Sequence, residues 1–143
     1  VGAQYSLPDD RLGAGRDLKG VRKAVLDMVH KAQGQGCAPG ILGVSIGGDR
    51  GSGYTNSKEV LLSKIGERNP DPKLAALEEQ ITSDANQLGI GPMGFGGKTT
   101  VLDTKITGLS RVPASFFVTI SYMCWAYRRR KMTVKAGGAV VYG

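Results

Sequence analysis

One histidine, one tryptophan and two cysteines are found among the 143 residues of this chain. A metal site built on histidines therefore cannot be assembled from it alone, and His30 is the only base of the usual kind for a cysteine nucleophile. Three phenylalanines, five tyrosines and that single tryptophan leave few platforms for stacking bases. No apolar run approaches the ~20 residues of a bilayer span, and the first residues lack the basic-then-apolar pattern of a signal peptide. No internal repeat is visible. These absences argue against membrane and signal-directed chains, so the expectation is a cytoplasmic protein without a membrane partner. Its distant cysteines, Cys37 and Cys124, are then free thiols or metal ligands before they are a disulfide.

What the chain does have is glycine, 22 residues of it, with neither a three-residue period nor a serine-rich tract. Collagen and flexible-linker readings fail on that ground. The length suits one domain or part of one. The formal net charge is +7, with basic residues spread along the chain except for the run Arg128 to Lys131. A small carboxylate or phosphate ligand explains that balance as well as a nucleic acid does, and ranks above it. The basic run itself reads first as a solvated face.

Taken in order, Val1 to Arg16 carries Pro8-Asp9-Asp10 without a sustained period and reads as a surface loop or truncated end. Asp17 is placed to cap a helix whose apolar positions Val21, Ala24, Val25, Met28, Val29 and Ala32 recur at three and four, with Gly34 and Gly36 beyond it. His30 falls in its last turn. Ile41 to Ile46 has the length and density of a strand, followed by a glycine loop through Gly53 and a helix from about Ser57 to Ile65, where Asn56 and Glu59 have capping-box spacing. Gly47, Gly48 and Arg50 in that loop form a candidate anion nest, against which stands a simple tight connection. No G-x-G-x-x-G reads through it.

Asp71-Pro72 opens a helix with Leu74, Leu77, Ile81, Ala85 and Leu88 on one stripe, ended by Gly89. Gly97-Lys98-Thr99 suggests a phosphate-binding loop, but the residue required to be glycine is Pro92 and the segment follows a helix where a strand is needed. Thr99 to Thr107 reads as a strand. Ser115 to Tyr122 alternates Phe116, Val118, Ile120 and Tyr122 as a half-buried one, with Cys124 just past its end, where open α/β sheets present ligands. Ala139 to Tyr142 suggests a last edge strand. On residues alone, Cys37 and Cys124 are either buried thiols or ligands for iron or zinc, and two thiolates cannot complete an iron-sulfur cluster.

Three segments then carry a resemblance. Cys37-Ala-Pro-Gly-Ile-Leu-Gly-Val-Ser-Ile-Gly-Gly, Asn86-Gln-Leu-Gly-Ile-Gly-Pro-Met-Gly-Phe-Gly-Gly-Lys-Thr-Thr-Val-Leu, and Pro113-Ala-Ser through Cys124-Trp-Ala-Tyr-Arg-Arg resemble successive signatures of the iron-sulfur hydro-lyases. These are the class I fumarate hydratases and L-tartrate dehydratases, and the similarity runs from about Asp17 to Arg130. The resemblance implies a 4Fe-4S cluster held by three cysteines, whose open iron acts as a Lewis acid on the substrate's hydroxyl. Cys37 and Cys124 match two of the ligands, and the first family cysteine, in a Cys-Gln-Asp-Thr-Gly motif, is expected upstream of Val1.

It further implies an α/β fold, a mixed sheet with packed helices, forming part of the α-type domain over residues 17–134, with 1–16 a loop and 135–143 a tail. The loop from Gly94 to Thr99, with Gly96, Gly97, Lys98 and Thr99, would wrap the cluster; Gly47, Gly48 and Arg50 are weaker candidates for contacting substrate or cluster. Where the family has a histidine this chain has Val112, followed by Pro113. The catalytic base and substrate-binding arginines and lysines belong to a β subunit or C-terminal domain outside this chain, so no catalytic residue is assigned here and the piece alone is expected to be inactive. The expected reaction of the complete enzyme, a homo-oligomer, is hydration of fumarate. Dehydration of L-tartrate or a similar 2-hydroxy dicarboxylate is the enzymatic alternative, and a glycine-rich anion- or RNA-binding module the non-catalytic one.

Overall fold

In the computed structural model, which describes residues 1–143, the two expected capped helices form as read. The Asp17 carboxylate accepts the Gly20 amide at 2.7 Å and opens α1 (Leu18–Ala32), which buries Val21, Ala24, Val25, Met28, Val29 and Ala32. The Asp71 carboxylate accepts the Lys73 amide at 2.8 Å, and Pro72 begins α3 (Pro72–Gln87) with Leu77, Ile81 and Ala85 in the core. Proline costs nothing there, because the first-turn amides have no helical acceptor.

Four strands make one mixed sheet in the order β1-β4-β2-β3. They are β1 (Gly2–Ser6), β2 (Gly40–Ile46), β3 (Val101–Gly108) and β4 (Phe117–Met123). β2 runs parallel to β3 and antiparallel to β4, and β1 runs antiparallel to β4. Leu42, Val44, Ile106, Val118 and Ile120 pack with α1 and α3 in one apolar cluster. The alternate positions face the other way, and there α2 (Arg50–Glu59) lies across Gly43, Thr119 and Ser121. The connection from β2 to β3 thus leaves on one face through α2 and returns on the other through α3.

Several expectations are corrected by this arrangement. Residues 2–6 are not loop: β1 is the edge strand, and its pairing with β4 is so remote in sequence that no local pattern announces it. The second helix begins at Arg50, not near Ser57, because Asp49 accepts the Gly51 and Ser52 amides at 2.7 and 2.9 Å and closes a capping box with Ser52. Asn56 and Glu59 lie inside that helix and at its end. β4 is buried on both faces, since α2 covers Thr119 and Ser121 with its own glycine and serine backbone. Gly53 is required there: a methyl group would sit 2.5 Å from the Thr119 hydroxyl. The last apolar run is not an edge of the main sheet but β6 (Val140–Tyr142), paired with β5 (Met132–Val134) in a separate hairpin.

β3 has a free edge, and side chains close it. The Ile106 amide donates to Glu78 at 2.8 Å, the Asn69 side-chain amide donates to the Ile106 carbonyl at 2.7 Å, and Asn86 accepts from the Thr100 and Val101 amides at 2.7 and 2.9 Å. Unpaired strand groups would otherwise invite another strand. On the face toward the Glu67 loop, buried Asp103 accepts from the Gly66 amide at 2.7 Å, from Arg68 at 2.7 Å and from buried Lys105 at 3.0 Å. Burial pushes the Asp103 carboxyl up, but the Gly66 amide, Arg68 and Lys105 outweigh it and hold the group below the ordinary carboxylate range.

A depressed folded-state pKa means that the stabilisation is present above the unfolded value of about 3.9 and is lost as pH falls through the lower folded value. Asp103→Asn removes the buried countercharge of Lys105, whose ammonium then keeps the Glu67 carbonyl as its acceptor, and is expected to destabilise by about 3–5 kcal/mol at neutral pH. Urea midpoints followed down to about pH 3 should also show a flatter acid limb in the variant than in the parent protein.

Candidate metal centre at the paired cysteines

Cys37 occupies the turn before β2 and Cys124 the residue after β4, and the antiparallel register sets Ile41 opposite Met123. Strand start and strand end therefore coincide, and the two half-buried thiols lie close enough for each to shift the other's titration, while the Cys37 sulfhydryl reaches the Ala38 carbonyl at 4.0 Å. The Ala126 amide donates to the Cys124 sulfur and, with the Cys37 thiol, holds Cys124 below the usual thiol range against the opposing effect of burial. The neighbouring Cys124 sulfur, with burial added, pushes Cys37 up. Of the pair, Cys124 is the more acidic thiol and Cys37 the less. Cys37 holds φ at 23°, in the left-handed region that residues with a side chain seldom adopt.

The surroundings are backbone packed on backbone. A methyl group at Gly34 would sit 2.5 Å from the Met93 carbonyl oxygen, so the turn carrying Cys37 lies directly on the glycine loop after α3. The Ala38 amide points at the Met93 sulfur at 3.4 Å. Within the loop the Gly96 amide donates to the Ile90 carbonyl at 2.8 Å and the Gly91 amide to the buried Thr100 hydroxyl at 3.2 Å. Gly91 has φ at 66°, and a methyl group there would come within 2.1 Å of the Gly96 carbonyl oxygen. Glycine serves close approach at this position rather than looseness.

Tyr122 and Thr100, read from the sequence only as strand residues, turn out to tie this end together. The Tyr122 hydroxyl donates to the Thr100 carbonyl at 3.2 Å. Burial first, and then the neighbouring Cys37 and Cys124, push the phenol up and keep it a neutral donor. No local pattern marks Thr100 as a hub, because its three partners, Asn86, Gly91 and Tyr122, lie on three different segments.

The candidate residues divide between two ends of the sheet. Gly96, Gly97, Lys98 and Thr99 lie exposed on the loop beside the Cys37 turn. Gly47, Gly48 and Arg50 follow β2, whose seven residues separate them from Cys37 by roughly 20 Å. Their amides do not form an open anion nest: the Asp49 carboxylate occupies the start of α2, and Arg50 donates to Gln4 at 2.9 Å with its guanidinium 4.8 Å from the Phe117 ring. Val112 belongs to that far end as well, beside Gly48 and Arg111 in an open cavity of about 430 Å³. The thiols thus sit at the end of the sheet where the parallel pair begins, opposite to the carboxyl ends that α/β sheets commonly use. His30 is exposed near the end of α1.

Soft thiolates beside backbone amides suit iron, zinc or an iron-sulfur cluster. Nowhere in the chain do three or more histidine, cysteine or acidic side chains come together as a metal-binding group. The residues present therefore fit at most part of a ligand set. No helix is long and apolar enough to cross a membrane.

The geometry defines a class: a mixed α/β unit that brings two thiols together against a glycine loop. Residues 5–133 match the family described as fumarate hydratase (Fumerase). The chain belongs to the class I fumarate hydratase family, which includes the α subunits of tartrate dehydratase. It is 54% identical over 129 residues to a putative class I fumarate hydratase of Geobacillus stearothermophilus, covering 88% of this chain and 25% of that protein. It is 39% identical over 118 residues to a putative L(+)-tartrate dehydratase subunit alpha of Methanocaldococcus jannaschii, covering 82% and 41% respectively. The L(+)-tartrate dehydratase subunit alpha of Escherichia coli (strain K12) is 35% identical over 118 residues, covering 82% and 39%. The chain thus spans between a quarter and about two fifths of the length of these relatives.

Because Gly91 is both left-handed and in contact with Gly96, Gly91→Ala is expected to destabilise the loop by about 1–3 kcal/mol. Limited proteolysis should then cut between residues 91 and 97 faster in the variant than in the parent protein.

Proposed function

We propose that the complete protein is an iron-sulfur hydro-lyase that reversibly hydrates fumarate to malate, with Cys37 and Cys124 as two of the three cysteine ligands of a 4Fe-4S cluster. The observation that carries this reading is the convergence of these two residues, far apart in sequence, at one end of the sheet, where the register sets Ile41 opposite Met123. When bound, such a cluster supplies a Lewis-acidic iron that polarises the bond between carbon and hydroxyl. The chain's own residues do the holding: Cys124, held below the usual thiol range beside the Ala126 amide, and Cys37, pushed above it, each of which must lose its proton to bind metal. Gly96, Gly97, Lys98 and Thr99 are placed on the loop next to the Cys37 turn, where main-chain amides could approach the cluster sulfides and tune it.

The third cysteine belongs to residues preceding Val1 in the complete protein. That position is supported by β1, which begins at the sulfur end, with Gly2 opposite Ser121 and the Val1 carbonyl accepting the Tyr122 amide at 2.8 Å. The base that removes the substrate proton, and the arginines and lysines that bind dicarboxylate, belong to a β subunit or C-terminal domain; two of the relatives are named as alpha subunits. Those names also favour a second substrate reading, dehydration of L-tartrate, since both substrates place a hydroxyl beside a carboxylate. Free, unbridged thiols suit the cytoplasm.

The test is anaerobic reconstitution of the complete protein followed by iron and sulfide analysis and assays with fumarate, malate and L-tartrate. Cys37→Ser and Cys124→Ser are each expected to lose the cluster and to lower turnover by ~100-fold or more, beyond the cost of altering outer-shell partners of a metal. Unchanged iron content in both variants would remove these cysteines from the proposal, and faster turnover of L-tartrate than of fumarate would decide for the second substrate.

A further inference from the structure

The turn that carries Cys37 is moulded around one aromatic ring. Tyr122 is buried, and a methyl group on Gly36 would lie 2.6 Å from its Cζ while one on Gly40 would lie 2.2 Å from its hydroxyl oxygen. The ring therefore fills the inner side of the Gly36 to Gly40 turn with no room for a side chain at either end. Cys124 is two residues beyond the ring and directly follows the strand that carries it, so one backbone segment places both. The hydroxyl reaches the Thr100 carbonyl at 3.2 Å, and the Thr100 hydroxyl holds the Gly91 amide. A single side chain thus touches the Cys37 turn, is carried by the Cys124 strand and is bonded to the root of the glycine loop.

A second observation shows that the turn needs such a template. Cys37 has φ at 23°, a backbone state that persists only where the surroundings over-determine it. Free of contacts, the turn would relax to ordinary backbone angles and swing the sulfur away from Cys124.

We propose that Tyr122 is the positioning residue of the cysteine pair: its ring, more than its hydroxyl, holds Cys37 in the backbone geometry at which the two sulfurs meet. Its consequence for cluster assembly rests on the hydro-lyase reading above; the positioning itself does not. Tyr122 acts through the cysteines and is assigned no contact with substrate.

The experiment uses the complete protein with three variants, Tyr122→Phe, Tyr122→Leu and Gly36→Ala, each checked for native far-UV circular dichroism. In the cluster-free protein, phenylarsine oxide probes the pair, because its arsenic bonds two adjacent thiols with release of one water, and a Cys124→Ser control assigns the captured arsenic to these cysteines. Tyr122→Phe keeps the ring and should capture the arsenical like the parent. Tyr122→Leu and Gly36→Ala should bind it at least ~10-fold more weakly, as a two-point attachment does when its geometry is lost. After anaerobic reconstitution the same two variants should show lower iron content and, once reduced with dithionite, a weaker cluster signal by electron paramagnetic resonance, with Tyr122→Phe at the parent level.

A purely structural role would lower thermal stability and leave arsenical capture by the folded protein unchanged, and that result overturns the proposal. Should Tyr122→Leu fail to fold, Gly36→Ala tests the same contact with the ring in place, and parental capture by it also overturns the proposal. If the parent protein acquires no cluster yet its arsenical capture depends on Tyr122, the cluster reading fails and the positioning role stands.

Discussion

The antiparallel pairing of β2 with β4 sets Ile41 opposite Met123 and Gly43 opposite Ser121, and the candidate site depends on that register. Side chains alternate along a strand, so a slip of one residue would send Val118, Ile120 and Tyr122 to the face of α2 and withdraw Tyr122 from the Cys37 turn. The α2 face rejects such a slip. Ser57 and Ser121 share a hydrogen bond at 2.7 Å, and a methyl group even on Gly43 would come within 2.0 Å of the Ser57 carbonyl oxygen. A face that close has no space for isoleucine or tyrosine. Packing on one side of the sheet thereby fixes the sulfur geometry at its end.

The two faces reach their order by different means. Toward α1 and α3 the sheet buries branched and aromatic side chains, a non-directional interaction that scales with apolar area. Toward α2 it buries hydroxyls and glycine, where contact depends on hydrogen bonds such as Gln4 to Thr119 at 2.8 Å and on close backbone approach. The first kind of face accommodates volume-conserving exchanges better than the second, in which one added methyl meets backbone. The sulfur end belongs to the second kind: Gly34 on Met93, Gly91 on Gly96, and Gly36 and Gly40 on Tyr122.

How much of this could be read in advance follows from the range of each interaction. Asp17 and Asp71 cap within three residues, so α1 and α3 were legible with their buried faces, except that Leu88 caps α3 and is exposed, and so were β2 and β3. Asp49 caps just as locally, yet its signal was masked by the glycines after it, and the spacing of Asn56 with Glu59 offered a false start. β1 and the second buried face of β4 were hidden because both depend on partners remote in the chain. The mixed sheet and the family were legible through the resemblance. At the loop after β2 the packing is visible only in three dimensions, where the Asp49 carboxylate accepts the first amides of α2 and Arg50 is engaged with Gln4. Glu78, buried with its oxygens on the Ile106 and Asn69 amides, reads in sequence as one more exposed helix charge.

A centre divided, as proposed, between this unit and residues outside it would place a specific demand on the half that is present. Metal binding is coupled to the ordering of its ligands, so ligands that must be ordered at the moment of binding weaken the site. Two thiols on a flexible turn would carry that cost in full. Here the cost is met during folding: the β2–β4 register, the Tyr122 ring and the Thr100 hub order the pair through contacts that involve no metal. In the proposed hydro-lyase, what remains on binding is the ordering of the third ligand and the deprotonation of both thiols. The strained backbone at Cys37 is therefore consistent with a preformed half-site, in which folding of the sheet supplies the work of bringing two soft donors together before the rest of the coordination sphere arrives.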